Sequence, residues 1–335
     1  MIILTNCLSD VVDEGCLKVA NSLIRRIKEK GNAQVVTYGE SPKREKLHFS
    51  VNKLMLNPKL LFFLGKRREP VLYIPAVAKA HTMAARIFIM SLFAPRGMRV
   101  LLVMQYQTGR IARLLLKLSG ARFYTLSKAS WEYYRALLGD RVEYLKTGVD
   151  TEKFQPVPQA RKAELRQKYG FSQEEKLVLH IGHLRPGRNV AQLLALEPDL
   201  RGVLVASGYA ARMQDQELKQ RLQAKENVTL LDSYIPDIQE ICQLADVYLF
   251  PVVAAHNCID VPLSVLEAAA CDIPVVATPY GELRELMGKE GFYQLESFQP
   301  EALNALLRQA CGEGAHPRQH VLEYDWQRAV EKIMS

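Results

Sequence analysis

Strand-like runs alternate with helical runs along most of this 335-residue chain, and this alternation limits the possible folds more than any other feature. The predicted strands are Ile2–Thr5, Ala33–Thr37, Val71–Ile74, Arg99–Met104, Arg122–Leu126, Val142–Lys146, Leu177–Ile181, Gly202–Ala206, Val228–Leu231, Val247–Phe250 and Pro274–Ala277. The clearest predicted helices are Glu14–Lys30, Ala78–Phe93 and Ser130–Leu138. Such alternation predicts an α/β protein with parallel sheets that helices cover on both faces.

The alternation stops once, between residues 147 and 158. This segment reads TGVDTEKFQPVP, with turn formers, two prolines and no apolar periodicity. A chain of this length is also long for a single core, because domains commonly hold about 100–200 residues. We therefore predict one domain over residues 1–150, a second over 151–317, and a C-terminal helix within 318–335 that could return to the first domain.

Charge is distributed unevenly between the two halves. The stretch from Ser41 to Arg135 holds 18 Lys or Arg against three acids, a net of +15, whereas the whole chain is +8. The first half therefore suits an anionic surface or substrate. Residues 53–68 mix cations with aliphatic and aromatic residues, which leaves two interpretations open: peripheral contact with an anionic membrane, or a core-covering helix with solvated lysines. No nucleic-acid-binding signature accompanies the charge, so nucleic acid is not an expected partner.

Several classes of protein are disfavoured by composition. No apolar run approaches the roughly 20 residues that cross a bilayer, and the start, MIILT, lacks the basic region of a signal peptide. The six cysteines form no CxxC pair, which indicates core thiols in a reducing compartment and gives no support for a metal site. We expect a cytoplasmic protein, with peripheral attachment to the inner face of the cytoplasmic membrane left open by the basic first half.

One carboxylate stands in an otherwise apolar segment. Glu267 is the only charge between Asp260 and Asp272, on a predicted helix whose residues are apolar or small. Because an unpaired buried charge is costly, this carboxylate needs a partner. That partner is either a structural ion pair or cap, or polar groups of a ligand at the carboxyl edge of a parallel sheet, where open α/β folds bind ligands.

Two further segments suit phosphate binding. The loop that follows the strand Leu177–Ile181 carries His183, Arg185 and Arg188, and such cations beside exposed amides suit a diphosphate, although basic loops are often only solvated. Gly15 lies between the first strand and a long helix, where a missing side chain lets backbone amides approach a phosphate; a plain tight turn is the alternative.

Two polar positions could complete a cleft. Asp260 is predicted at the N-cap of the Glu267 helix, which is either ordinary capping or a second carboxylate for the same ligand. Gln105 ends a strand of the first domain, where it is either solvated or faces the cleft.

Two motifs resemble those of a known family. Residues 146–156, KTGVDTEKFQP, look like the linker of the retaining glycosyltransferases of family 4. Residues 245–251, ADVYLFP, and 266–276, LEAAACDIPVV, are similar to the donor-binding signature of that family. The resemblance spans nearly the whole second half and implies the GT-B fold: two Rossmann-like, doubly wound parallel-sheet domains that face an interdomain cleft.

The resemblance also implies roles for individual residues. Glu267 matches the glutamate that holds the nucleotide ribose, Arg188 and His183 match the diphosphate-binding cations, with Arg185 as a further cation, and Gly15 matches the glycine of the N-terminal loop. The remaining expected donor contacts, beside the base and at the start of the Glu267 helix, are Tyr234, Ile235, Val261, Leu263 and Ser264.

The chain departs from the family pattern around the donor sugar. Ile259 stands where the first glutamate is usual, so that Asp260 could replace it, and Pro262 stands where a glycine is usual. Gln105 stands where a histidine is common. The expected catalytic residues are therefore Asp260, Arg188 and Gln105. No DxD motif is present, which fits metal-independent donor binding and no cofactor.

The activity implied by the resemblance is retaining transfer of a hexosyl or N-acetylhexosaminyl group from a UDP- or GDP-sugar. The acceptor would be a hydroxyl, lipid-linked or anionic, in cell-envelope or glycoconjugate synthesis. Three alternatives stay open: a sugar-nucleotide-binding pseudoenzyme or partner subunit without transfer activity, a sugar-nucleotide epimerase of the same fold, and a non-enzymatic lipid-binding module, which would give Glu267 no task.

Overall fold

A computed structural model describes residues 1–12, 14–75, 79–103, 108–206, 215–253 and 258–335. The chain divides into two compact units. Unit 1 consists of Met1–Thr147 together with Trp326–Ser335, and unit 2 is Gly148–Asp325. Unit 2 is thus one continuous stretch, whereas unit 1 is assembled from both ends of the chain.

Unit 1 is built on a parallel sheet with the strand order β3-β2-β1-β4-β5-β6-β7. Its strands are β1 Ile2–Thr5, β2 Gln34–Tyr38, β3 His48–Phe49, β4 Val71–Ile74, β5 Met98–Leu102, β6 Arg122–Thr125 and β7 Val142–Tyr144. Its helices are α1 Gly15–Lys30, α2 Pro58–Gly65, α3 Ala80–Ser91, α4 Arg110–Leu118, α5 Lys128–Leu138 and the C-terminal α11 Trp326–Met334.

The central strands of unit 1 are apolar because helices cover both of their faces. Every residue of β1 (IILT) and of β4 (VLYI) is buried, as expected for a parallel sheet with two covered faces. On one face α1 packs against α11, where Lys30 Nζ lies 2.8 Å from Glu331 Oε1. The guanidinium of Arg99 also donates to the carbonyl of Ile333. These contacts attach the last helix to unit 1.

Unit 2 contains the second parallel sheet, with the strand order β10-β9-β8-β11-β12-β13. Its strands are β8 Lys176–Gly182, β9 Leu200–Ala206, β10 Val228–Leu231, β11 Val247–Phe250, β12 Val275–Ala277 and β13 Phe292–Gln294. Its helices are α6 Gln159–Tyr169, α7 Gln216–Gln223, α8 Ile238–Leu244, α9 Leu263–Ala270 and α10 Pro300–Gly312. The direction of winding reverses between β8 and β11, and ligands of such sheets bind outside the carboxyl ends of the strands at this reversal.

The predicted α/β class with two parallel sheets is confirmed. Two edge strands, β3 and β13, were not expected from the sequence, since they have only two and three residues. The helix predicted over Ala78–Phe93 is shorter, at Ala80–Ser91. Across the described part of the chain, no helix is both long enough and apolar enough to span a membrane.

Candidate functional site

The cationic loop of unit 2 lies directly at the reversal point of its sheet. β8 ends at Gly182, His183 follows, and a 3-10 turn over Pro186–Arg188 closes the loop. The turn is held by its own backbone, because the Arg185 amide donates to the His183 carbonyl at 3.0 Å and the Arg188 amide to the Arg185 carbonyl at 2.9 Å. His183 and Arg188 are buried and Arg185 is partly exposed.

Arg188 is the central residue of this site. Its guanidinium lies close to the thiol of Cys258: burial raises the pKa of that thiol, and the charge of Arg188 acts in the opposite direction. Among the described residues, no acceptor hydrogen-bonds the Arg188 Nε–H. Buried polar groups normally have a partner, and a guanidinium binds phosphate oxygens through several N–H groups at once. A buried arginine with a donor left over is therefore suited to an anionic ligand.

His180 lies beside Arg188 and is neutral. Its Nδ1 is 2.8 Å from the Leu249 carbonyl oxygen, and because a carbonyl only accepts, Nδ1 carries the proton and Nε2 the lone pair. Desolvation by burial, with a contribution from the charge of Arg188, lowers the pKa of His180 to about 4. Within the described ranges Nε2 has no hydrogen-bond partner. The ring thus presents a buried acceptor beside Arg188.

A side chain at Gly182 would be crowded where these two side chains converge. A Cβ on Gly182 would lie 3.0 Å from Nε2 of His180 and 3.5 Å from Nη1 of Arg188. The space that a side chain would fill at the end of β8 is thus occupied by the histidine and the arginine. Glycine at this position keeps both polar groups close to the strand end.

A hydrogen-bonded tyrosine connects β8, β11 and the start of α9. Tyr248 accepts from the Ile181 amide at 3.2 Å and donates to Ser264 Oγ at 2.7 Å. Burial raises the pKa of Tyr248, so it stays protonated. Ser264 is therefore fixed on the first turn of α9, next to the end of β8.

The helix that carries Glu267 begins later than expected. α9 starts at Leu263 with Pro262 as its N-cap residue, and no side chain among the described residues caps it, so the expected N-cap position of Asp260 is wrong. Instead the Asp260 carbonyl accepts from the Glu282 amide at 2.9 Å. Gly281 has φ +52°, and a Cβ there would lie 2.1 Å from the same carbonyl oxygen, so only glycine fits this approach.

Val261 and Leu263 turn their side chains into the unit. Both are buried, and each would lie 3.0 Å from a Cβ placed on Gly148, the glycine of the linker motif. Their side chains thus pack against the linker, which leaves their backbone as the part that could contact a ligand.

Glu267 is 3% exposed. Its charge acts on Tyr248, where it adds to the upward shift of the pKa that burial causes. The carboxylate is therefore close to the tyrosine that fixes Ser264, but little of it is accessible. A role in binding ribose stays a prediction.

The other predicted residues are dispersed. Tyr234, 45% exposed, and the half-buried Ile235 lie between β10 and α8. Gly15 is the first residue of α1 in unit 1. Gln105 lies outside the described residues. No group of three or more His, Cys, Asp or Glu that could hold a metal occurs in the ranges that the structure describes.

Sequence reasoning missed four contributors to this site. His180 and Tyr248 lie within predicted apolar strands and had no predicted role, although a histidine inside KLVLHIG is a signal of a buried polar group. Tyr280 donates to the Cys258 carbonyl at 2.8 Å and accepts from its amide at 3.2 Å, which fixes the backbone opposite Arg188. Nothing in the local sequence pairs Cys258 with Tyr280.

The sequence of unit 2, which carries this site, is similar to sequences of known proteins. Residues 175–312 match the model of a family described as glycosyl transferases group 1. The chain is 32% identical over 154 residues to EpsD of Bacillus subtilis, a match that covers 43% of this chain and 39% of EpsD. It is 31% identical over 163 residues to the GDP-mannose-dependent alpha-(1-6)-phosphatidylinositol monomannoside mannosyltransferase of Mycolicibacterium smegmatis, over 45% of this chain and 42% of that enzyme. The matches thus span less than half the length of these two relatives.

A solved structure extends the likeness to the whole chain. Anabaena HepE, in complex with UDP and glucose, aligns with a TM-score of 0.78 over 99% of this chain and 98% of its own, at 16% sequence identity. At that identity the likeness concerns the fold alone. The chain therefore has the GT-B fold, and residues 175–312 of its second unit are similar in sequence to the glycosyl transferases group 1 family.

Proposed function

We propose that this protein is a retaining glycosyltransferase that moves a sugar from a nucleotide diphosphate sugar to a hydroxyl acceptor. The observation that carries the proposal is the buried Arg188 in the loop after β8, which lies beside the neutral His180 and whose Nε–H has no acceptor in the described part of the chain. This arrangement lies at the reversal point of a sheet whose sequence matches the model of the glycosyl transferases group 1 family over residues 175–312. A diphosphate is the anion that best suits it.

The proposed roles follow from where charge develops. Cleavage of the anomeric bond builds negative charge on the leaving diphosphate, and a fixed guanidinium stabilises that charge more than the ground state. Arg188, with His183 and Arg185, would bind the diphosphate. Glu267 would bind the ribose, Tyr234 and Ile235 would lie beside the base, and the backbone from Val261 to Ser264 would face the sugar. The uncapped N-terminus of α9 supports this assignment, because its dipole favours an anion.

The nucleotide and the acceptor are proposals by analogy. The relative from M. smegmatis is named as GDP-mannose-dependent and as acting on a phosphatidylinositol monomannoside, and HepE was solved with UDP and glucose. We propose a UDP- or GDP-sugar as donor, bound without metal, and an anionic or lipid-linked acceptor received by unit 1. Asp260 and Gln105 would act near the sugar. The protein would work at the cytoplasmic face of the membrane.

A nucleotide panel tests the donor assignment. UDP, GDP, ADP, CMP and TDP are each added and thermal unfolding is followed. A ligand at 100 times its Kd adds about 2.7 kcal/mol, which corresponds to a rise in Tm of roughly 5–11 °C for a unit of this size. We expect UDP or GDP to give this rise. No rise with any of the five would refute the proposal.

Substitution of Arg188 tests its role. Arg188→Ala should abolish the nucleotide-induced rise in Tm and lower kcat/KM for the donor by about 100-fold or more, since a charged transition-state contact is lost. Arg308→Ala is the control, because Arg308 pairs with Asp199 and Glu197 on the surface of the same unit. An unchanged kcat/KM in Arg188→Ala would contradict the assignment.

One observation favours a second candidate function. Ile259, which stands where the family has its first carboxylate, is buried, so an apolar core residue replaces a sugar-binding acid. A nucleotide-binding pseudoenzyme or partner subunit would have this property. Nucleotide binding without transfer or donor hydrolysis, across UDP- and GDP-sugars, would favour this alternative.

A further inference from the structure

Exposed large apolar side chains are concentrated in unit 1. Among the described residues, eight of them lie between residues 54 and 118, whereas unit 2 contributes three. The eight are Leu54, Leu56, Phe62, Leu92, Phe93, Ile111, Leu114 and Leu118. Single exposed apolar residues are ordinary, but a group of them on adjacent helices marks an interaction site.

Helix α4 presents three of these residues in a line. Ile111, Leu114 and Leu118 follow one another at spacings of three and four residues, so they lie on one face of the helix. Their exposed fractions are 74%, 56% and 60%. A different face of the helix buries Ala112 and Leu116 in the core. The apolar line is therefore not needed to attach α4 to the sheet.

Cations border this apolar line. Arg110, Arg113 and Lys117 are exposed and repeat with the same spacing, one position earlier along α4, so they form a second line beside the first. Helices α2, α3 and α4 contain no Asp or Glu. An apolar line beside a cationic one, without acids, is typical of a helix that lies in the interface of an anionic membrane.

The neighbouring helices extend the surface. α2, α3 and α4 share one core on one face of the sheet, and α3 packs against α4. Crossover helices run antiparallel to the strands of a parallel sheet, so the C-terminal ends of all three helices lie at its amino edge. There a Cβ on Gly65, the last residue of α2, would be 4.0 Å from the Phe93 carbonyl oxygen. Phe62, with Lys66 Nζ 4.1 Å from its ring centroid, and Leu92 are exposed near the same ends.

We propose that unit 1 docks on an anionic lipid surface through this part of the molecule, which we call the α4 surface. It consists of Ile111, Leu114, Leu118, Leu92, Phe93 and Phe62 with the bordering cations. The apolar side chains enter the boundary between head groups and acyl chains, and the cations contact lipid phosphates. This inference goes beyond sugar transfer and does not depend on it.

Residues 53–68, whose composition predicted a possible membrane contact, contribute fewer exposed residues to the α4 surface than helix α4 does. Leu60 and Leu64 of α2 are buried, and Phe63 packs on Phe49 with ring centroids 5.6 Å apart. This part of the stretch covers the core, and Phe62 with its cations is what it adds to the α4 surface.

A second copy of the chain would bind the α4 surface less favourably than a membrane. A symmetric contact between two α4 surfaces would bring Arg110, Arg113 and Lys117 of both copies together, and no acid on α2, α3 or α4 could neutralise them. Like charges brought into an apolar interface oppose association. An anionic lipid surface offers phosphates to the cations and acyl chains to the apolar residues at the same time.

Vesicle sedimentation tests the proposal with the intact protein. We expect binding to vesicles of equal parts phosphatidylglycerol and phosphatidylcholine, and little binding to phosphatidylcholine alone. Ile111→Ser with Leu114→Ser should lower the affinity about tenfold or more, because several buried methylene groups are lost. Arg110→Gln with Lys117→Gln should lower it by about fivefold for each cation. Leu322→Ser, at an exposed leucine of unit 2, is the matched control and should change nothing.

A second measurement does not depend on a loss of binding. Leu114→Trp should show a blue shift of its fluorescence on addition of the anionic vesicles, whereas Leu322→Trp should not. Equal binding to both kinds of vesicle, full binding by the Ile111→Ser/Leu114→Ser variant, or no shift of Leu114→Trp would overturn the proposal. So would a dimer in ultracentrifugation that this double variant converts to monomer without any vesicle binding. Because the vesicles carry no sugar nucleotide and no acceptor, failure here leaves the proposed transfer from a nucleotide donor untouched and counts only against a lipid-linked acceptor and a location at the membrane. Failure of the nucleotide panel, in turn, leaves the docking proposal untouched.

Discussion

The glycine of the linker motif allows a prediction that connects the linker to the candidate donor site. Gly148 has φ +154°, and a Cβ there would lie 2.8 Å from Leu266 Cδ1, 3.0 Å from Leu263 Cδ2 and 3.0 Å from Val261 Cγ1. In Gly148→Ala the backbone conformation costs about 1–3 kcal/mol, and forcing a methyl group into a filled core costs about 1–3 kcal/mol more. We expect the free energy of unfolding to fall by roughly 2–6 kcal/mol in total.

Gly170→Ala separates the two contributions. Gly170 also has positive φ, +79°, and lies in the same unit, but nothing lies within 4 Å of its Cβ position. Its substitution should cost only about 1–2 kcal/mol. Urea unfolding of the two variants measures the difference. Because Leu263 and Leu266 belong to the helix of Glu267, Gly148→Ala should also weaken nucleotide binding, and Gly170→Ala should not. If the two variants lose equal stability, the close packing of α9 on the linker is refuted.

Two further predictions concern His180 and Arg318. His180 has an ordinary pKa of 6.5 that is lowered to about 4 in the folded chain, so the unfolded state binds more protons between these values. Its contribution to stability is therefore complete above pH 6.5 and is lost, up to roughly 3 kcal/mol, as the pH falls toward 4. In urea unfolding, the free energy of unfolding of His180→Asn should therefore fall less steeply over this pH range than that of the unchanged protein. If the free energies of the two proteins fell in parallel, the buried neutral ring would be contradicted. The guanidinium of Arg318 donates to the carbonyls of Phe154, Ala270 and Thr151, so Arg318→Ala should lower the free energy of unfolding by about 2–4 kcal/mol. Arg308→Ala, at a surface ion pair, should lower it far less, and equal losses would refute the tie between linker and α9.

Periodicity predicted most of the fold because the central strands are buried on both faces and read as apolar runs. The central strands β1, β4 and β11 have the predicted bounds, and so does β10 at the edge of the second sheet. The short edge strands β3 and β13 were not predicted, because two or three residues give no periodic signal.

The site was predictable only in part. Arg188 and His183 could be proposed because cations in a loop after a strand are visible locally. The pairing of Arg188 with His180 and Cys258 could not, since it depends on the order of β8 and β11 in the sheet. The N-cap assigned to Asp260 was wrong: α9 begins at Leu263, and the Asp260 carbonyl instead packs on Gly281, a contact between distant residues that has no local sequence signal.

The return of α11 to unit 1 inverts the order in which the two halves can mature during translation. Helix α1 is translated early but stays uncovered until α11 emerges, because the ionic partner of Lys30 is Glu331 of α11. At about 5–20 residues per second, translation of residues 148–325 separates these events by roughly 10–35 s. Unit 2, encoded without interruption, has all of its own chain before unit 1 does. The nascent N-terminal half must therefore persist for that interval with one helical layer incomplete, a period in which a chaperone could bind it.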